Sequence, residues 1–209
     1  MDIYCIHLPH RTDRMENIKK LEKNYPSFNF IVIPGIRDEN GARGCLLSHQ
    51  LIVRMAKQRG LPYVWVIEDD CKFIVSNGAL LTLARDITDF LRGNPAVGVV
   101  NGCGNLPEPQ PIRVFSKFHD VFFMQSPHIT TAHCIFYAAS AYDKLLEFDD
   151  THIADVITND CNMVYTYPYL ATQMTSFSDI EEKDVDYQTI PESAKYIRAL
   201  LTKNGQLKQ

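Results

Sequence analysis

Apolar positions in the first hundred residues switch repeatedly between a strand period and a helix period. Ile3 to Leu8 is a short β-favouring run, expected as a buried first strand. The turn Pro9-His10-Arg11-Thr12 leads into a helix striped by Met15, Ile18 and Leu21, with Asp13 placed to cap it and Glu16 three residues on. Phe28 to Ile33 predicts a second strand, closed by Pro34-Gly35. A loop through Asp38, Asn40 and Gly41 precedes a second helix from about Cys45 to Arg59. In that helix Leu47, Leu51, Ile52, Met55 and Ala56 recur at three and four residues, and Gly60 stops it. Tyr63 to Ile67 is a third, very apolar strand that runs straight into Glu68-Asp69-Asp70. Asn77 is placed to cap a helix carrying Leu80, Leu81, Ala84, Ile87 and Leu91, and Ala96 to Asn101 reads as a fourth strand.

This alternation implies an α/β fold with a mainly parallel sheet and helices on both faces. From Gly102 the texture changes. Pro107, Pro109 and Pro111 mark an irregular stretch, with strands expected near Ile112–Phe115, Val121–Met124 and Thr131–Ala138. Helices are expected near Ser140–Phe148 and Ile153–Met163, and from Pro191 to Lys203. The first part is Rossmann-like and the second mixed, with no internal repeat and no low-complexity linker. One domain over residues 1–209 is the economical reading, divided into 1–101 and 102–209.

With 45% apolar residues the chain can bury a sizeable core. Its net charge is -4, with 21 basic and 25 acidic residues interleaved, which argues against nucleic acid as a partner. Cys5, Cys45, Cys71, Cys103, Cys134 and Cys161 lie far apart with no C-x-x-C pair. They are expected as reduced thiols of a cytoplasmic protein, several of them in the core. The first residues do not have the build of a signal peptide. No apolar stretch approaches the roughly 20 residues of a transmembrane segment.

The chemistry is concentrated at strand ends. Open parallel sheets bind ligands at the carboxyl ends of their strands, where Glu68-Asp69-Asp70 falls. Three adjacent carboxylates repel one another and lose hydration unless a cation balances them, and a hard divalent ion with a bound diphosphate does so. Glu68 and Asp70 point to one side of an extended segment. Leu8 and Pro9, with Arg11 and Arg14 behind them, place backbone groups and two guanidinium forks suited to phosphate beside the same crevice. Solvated arginines at a helix start are the plainer alternative. Gly44-Cys45-Leu46-Leu47-Ser48-His49 could present a helix N-terminus to a ligand, although a histidine such as His49 more often serves structure.

Three ordered elements together resemble glycosyltransferase family 25, the lipopolysaccharide and collagen glycosyltransferases. The family's N-L-x-x-R-x-D-R element is matched by His7-Leu8-Pro9-His10-Arg11-Thr12-Asp13-Arg14, its G-C-x-x-S-H by Gly44 to His49, and its E-D-D by Glu68-Asp69-Asp70. Thr131 to Phe136 and Ala141 to Leu146 look like its next strand and helix. Ile153-Ala154-Asp155 and Ser178-Asp179-Ile180 look like its later acidic elements. The likeness covers roughly residues 3–180, with His7 in place of the usual Asn and Ala132-His133 in place of Gly-aromatic. The chain also looks like compact glycosyltransferases encoded by large algal (chlorella) viruses; a viral gene would place it in the host cytoplasm.

The resemblance implies a GT-A fold, residues 1–101 holding a nucleotide sugar such as UDP-glucose or UDP-galactose and residues 102–209 serving a glycan or glycoprotein acceptor. It implies a manganese or magnesium ion bridged by Asp70 to the diphosphate, with Glu68 as a further ligand. Glu68 or Asp69 would hold the ribose or the ion's water shell, and Leu8, Pro9, Arg11, Arg14 and Ser48 would line the donor site. An inverting transfer needs a base near the acceptor hydroxyl, for which Asp155 is the first candidate and Asp160 the second, with helix capping as the bland reading of Asp155. His133, Gln173 and His128 are candidates for the acceptor side or a third metal ligand. A haloacid-dehalogenase-like phosphatase would need D-x-D on the first strand, which ends Leu8-Pro9-His10. A dinucleotide oxidoreductase would need G-x-G-x-x-G there. A catalytically silent domain that binds nucleotide sugar or glycan is the alternative of a different class.

Overall fold

The computed structural model describes residues 1–106, 110–149, 160–178, 180 and 183–208. In chain order these form β1 (Asp2–His7), α1 (Thr12–Asn24), β2 (Asn29–Pro34), α2 (Gly41–Gln58), β3 (Tyr63–Glu68), β4 (Cys71–Phe73), α3 (Asn77–Gly93) and β5 (Val99–Asn101). There follow β6 (Arg113–Phe118), β7 (Val121–Gln125), β8 (Cys134–Ala138), α4 (Tyr142–Glu147), β9 (Met163–Tyr167), β10 (Ala171–Gln173), β11 (Ser176–Ser178), β12 (Lys183–Val185) and α5 (Thr189–Lys203).

Eight strands make one sheet in the order β2-β1-β3-β8-β5-β9-β7-β6. The fold is α/β, as the alternation implies, but the sheet is mixed. β2, β1 and β3 are parallel, while β8 inserts antiparallel between β3 and β5. The fourth strand of the alternating series is therefore not a neighbour of the third. β8 can take that place because all five of its residues, Cys134-Ile135-Phe136-Tyr137-Ala138, tolerate burial on both faces. Its Phe136 stacks on Trp65 of β3 at 4.5 Å between ring centroids. Buried apolar side chains from both parts of the chain join one continuous core.

Local chemistry moved several element ends. Asn40 caps α2, its side chain accepting from Ala42 N and Arg43 N, so the helix starts at Gly41 rather than Cys45. Ser76, not Asn77, caps α3, and Asn77 instead bonds Ser27. Asp13 does not cap α1, because its carboxylate takes a two-pronged bond from Arg11. The expected helix through Met163 is corrected at its end: Met163 opens β9, which lies between β5 and β7, and residues 153–159 fall outside the described set. No helix among the described residues is long and apolar enough to cross a membrane, and none of the six cysteines is in a disulfide.

Candidate functional site

The order β2-β1-β3 creates the site. The chain leaves β1 through α1 to β2 on one side, then returns through α2 to β3 on the other. The segments following β1 and β3 therefore diverge, and a crevice opens outside the strands' carboxyl ends. A cleft of about 880 Å³ lies there, with Leu8, Ile36 and Cys45 on its walls and Glu68, Asp69 and Asp70 also facing it.

The three carboxylates have different fates. Asp69 accepts from Arg14 Nη1 at 2.9 Å on one oxygen and pairs with His7 Nδ1 at 2.8 Å on the other. Asn17 of α1 holds the turn itself, donating to the carbonyls of Asp69 and Cys71 at 2.9 and 3.0 Å. Asp70 accepts from Gln173 Nε2 at 3.1 Å and lies 3.2 Å from Arg14 Nη1, both on Oδ2. Its Oδ1 is buried with no hydrogen-bond partner. Burial, then the charge of Glu68, push the Asp70 carboxyl up to about 7, with Arg14 opposing them. Glu68 Oε1 sits 3.4 Å from His49 Nε2 and 3.7 Å from Cys45 Sγ. Burial works against its ionisation, but the contact with His49 holds its pKa below the ordinary value.

Arg14 Nη1 is shared between Asp69 and Asp70, so a single guanidinium faces two carboxylates. A buried acceptor without a donor costs on the order of 1–3 kcal/mol. The orphaned Asp70 oxygen and its hard oxygen chemistry suit a divalent cation.

The fold brings Leu8, Arg14, Ser48, Glu68, Asp69, Asp70 and Gln173 to the one cleft. Other expected site residues are used elsewhere. Pro9 is exposed and off the lining. Arg11 is turned to Asp13 and to the Phe177 carbonyl at 3.0 Å. His133 is fully buried, its Nε2 3.1 Å from Cys103 Sγ, and does not line the cleft. Burial also lowers its pKa to about 4, so it stands neutral. His128 bonds Gln110 through its backbone. Asp160 is exposed and off the lining, with its carbonyl accepting from Lys144. Asp155 lies outside the described residues.

Ser48 lines the cleft yet serves architecture. Its hydroxyl accepts from Ile36 N at 2.8 Å and donates to Gly44 O at 2.7 Å, fixing the loop after β2 to α2. Gly44 permits the approach: a Cβ there would lie 2.6 Å from Ile36 O. On the far side Arg14 Nη2 donates to Ser176 Oγ and to the Phe177 carbonyl, tying β11 to the carboxylates. Phe177, 47% exposed, lines the cleft together with Tyr187.

His7 and Asn17 enter the site without a role expected from the sequence. The parallel register offered a signal for the first, since Ile6 lies opposite Glu68 and the following residues on each strand are His7 and Asp69. Cys45 and His49 share a helix face at i and i+4, which is the signal that joins them.

No protein-family model and no curated protein matches the chain. Solved structures do. A glycosyltransferase involved in the glycosylation of the major capsid of PBCV-1 is 15% identical over 69% of this chain and 62% of its own, with a TM-score of 0.42. A197 from STIV is 12% identical over 88% of this chain and 94% of its own, with a TM-score of 0.48. An apo UDP-glucose pyrophosphorylase is 11% identical over 97% of this chain and 82% of its own, with a TM-score of 0.40. The chain thus spans less than two thirds of the capsid glycosyltransferase.

Proposed function

We propose that this chain is a GT-A glycosyltransferase that uses a nucleotide-diphosphate sugar and a divalent cation, with the donor in the cleft over Glu68, Asp69 and Asp70. The observation that carries it is the buried Asp70 carboxylate, one oxygen without a partner, at the switch point of a parallel β2-β1-β3 unit. Asp70 would hold the cation, with Glu68 beside it. Manganese or magnesium suits oxygen donors of this kind. When bound, such an ion offsets the negative charge that develops on a departing nucleotide.

The chain's own residues have definite tasks in this reading. Arg14 fixes the carboxylate turn by holding Asp69, and it supplies part of the positive charge that faces Asp70. Gln173 orients Asp70 from β10. Leu8 and the loop held by Ser48 bound the space for the nucleoside, and Phe177 and Tyr187 offer faces for a sugar. UDP-glucose or UDP-galactose is the donor to test first, with a glycan or glycoprotein acceptor. Asp155 is retained as the base for acceptor activation.

Thermal unfolding in the presence of UDP-glucose or UDP-galactose, with and without manganese, tests the donor site. At a hundredfold excess over Kd a ligand of the native state adds about 2.7 kcal/mol, a rise of roughly 5–10 °C for a chain of this size. No shift with any nucleotide sugar would reject the reading. Binding without sugar release, even with acceptor glycans supplied, would identify a silent binding domain instead.

A further inference from the structure

We infer that Cys45, His49 and Glu68 form a second, softer metal site, selective for zinc-like ions, on the wall of the same cleft. It does not rest on the nucleotide-sugar reading and shares only Glu68 with it. Cys45 Sγ, His49 Nε2 and a Glu68 carboxylate oxygen lie within 4.8 Å of one another. Glu68 Oε1 is 3.7 Å from the sulfur and 3.4 Å from the nitrogen. A tetrahedral zinc with metal–ligand lengths of about 2.0–2.3 Å has ligand–ligand edges of roughly 3.3–3.6 Å. Two of the three edges are thus already close to those of a bound site. The third, between sulfur and nitrogen, is within 4.8 Å, and Cys45 is half-buried on the first turns of α2.

The supporting contacts fit as well. His49 is 2% exposed, and its other ring nitrogen, Nδ1, is 2.9 Å from the Tyr137 hydroxyl. The Tyr137 ring meets the imidazole edge-on at 5.8 Å between centroids. A partner on the far nitrogen holds the ring in place, and with Nδ1–H donating to the Tyr137 hydroxyl the lone pair of Nε2 faces Glu68 and is open to a metal. Helical spacing supplies two ligands from one rigid face, and the strand end supplies the third. Three protein ligands leave a fourth position for water from the cleft, which Cys45 and Glu68 both line. The donor set separates this site from Asp70: sulfur and nitrogen favour zinc, cobalt or nickel, whereas an all-oxygen site favours manganese or magnesium. On binding, Cys45 loses its thiol proton to solvent as the sulfur–metal bond forms, and the metal keeps its oxidation state.

Cobalt(II) titration of the intact chain reads this directly. The expected result is a near-ultraviolet thiolate-to-cobalt charge-transfer band with intense visible bands of a four-coordinate ion, all displaced by stoichiometric zinc. Cys45→Ala should abolish the charge-transfer band, and Tyr137→Phe should weaken cobalt affinity roughly tenfold. Because His49→Ala removes a buried side chain, Glu68→Gln provides the second ligand test, with loss of affinity expected. Zinc should also slow alkylation of Cys45 relative to unfolded chain, as read by mass spectrometry. A wild-type spectrum without the band, or a band that survives Cys45→Ala, overturns the assignment. Asp70→Asn should keep the cobalt band while losing manganese-dependent binding of UDP-sugar, so the two sites fail separately.

Discussion

Arg14 places one nitrogen, Nη1, 2.9 Å from Asp69 Oδ1 and 3.2 Å from Asp70 Oδ2, and all three side chains are almost out of water. Removing one member of such a buried pair leaves a charge that the interior cannot solvate. Arg14→Met should therefore cost about 3–5 kcal/mol in urea denaturation. A loss below about 1 kcal/mol would mean that Asp69 and Asp70 do not depend on the Arg14 charge. Asp70 behaves differently because its unpartnered oxygen and its repulsion with Glu68 disfavour the apo fold. Asp70→Asn should unfold cooperatively at or above the wild-type temperature, while manganese and UDP-sugar no longer raise that temperature. Residues retained for chemistry often carry such a cost in stability. A marked drop in the variant's own melting temperature would assign Asp70 to architecture.

Helix α2 shows what a sequence element reveals and what it conceals. Its apolar spacing located it, and Gly44, Cys45, Ser48 and His49 were visible as a group. The division of labour within the group was not. Gly44 and Ser48 dock the loop after β2, which depends on the backbone of Ile36, a partner not marked by any pattern in the sequence. Cys45 and His49 face Glu68 because α2 packs against β3. Asp70 was legible for the same reason the strand was: a buried apolar run ending in carboxylates. The neutral burial of His133 was not legible, since β8 reaches its place only by inserting between β3 and β5. Gly44→Ala tests the docking. With a Cβ 2.6 Å from a carbonyl oxygen, helix and loop must separate, costing about 1–3 kcal/mol. On the proposed function, the same variant should also weaken UDP-sugar binding in a calorimetric titration, because Ile36 and Asp38 line that cleft. Unchanged stability would show that the loop yields freely.

Across the whole molecule, two groups buried in and beside the sheet oppose each other in their response to acid. The His133 pKa falls from 6.5 to about 4 because burial disfavours the imidazolium, while the Asp70 pKa rises from 3.8 to about 7. Between pH 6.5 and 4 the unfolded chain binds a proton at His133 that the native chain refuses. Stability from this group is therefore complete above pH 6.5 and drains away as pH falls toward 4. Asp70 has the reverse sign, since the native chain binds its proton first on acidification. Its contribution is complete below pH 3.8 and lost as pH rises through about 7. The two contributions thus offset each other in part, and a difference experiment separates them. His133→Asn removes one of the two. Its unfolding free energy relative to wild type should improve by about 3 kcal/mol between pH 7 and pH 4, whatever constant penalty the substitution carries. Urea denaturation of both proteins across that range reads the slope. Parallel curves would mean that His133 takes up its proton in the native state as readily as in the unfolded chain, the charge of Glu68 outweighing burial.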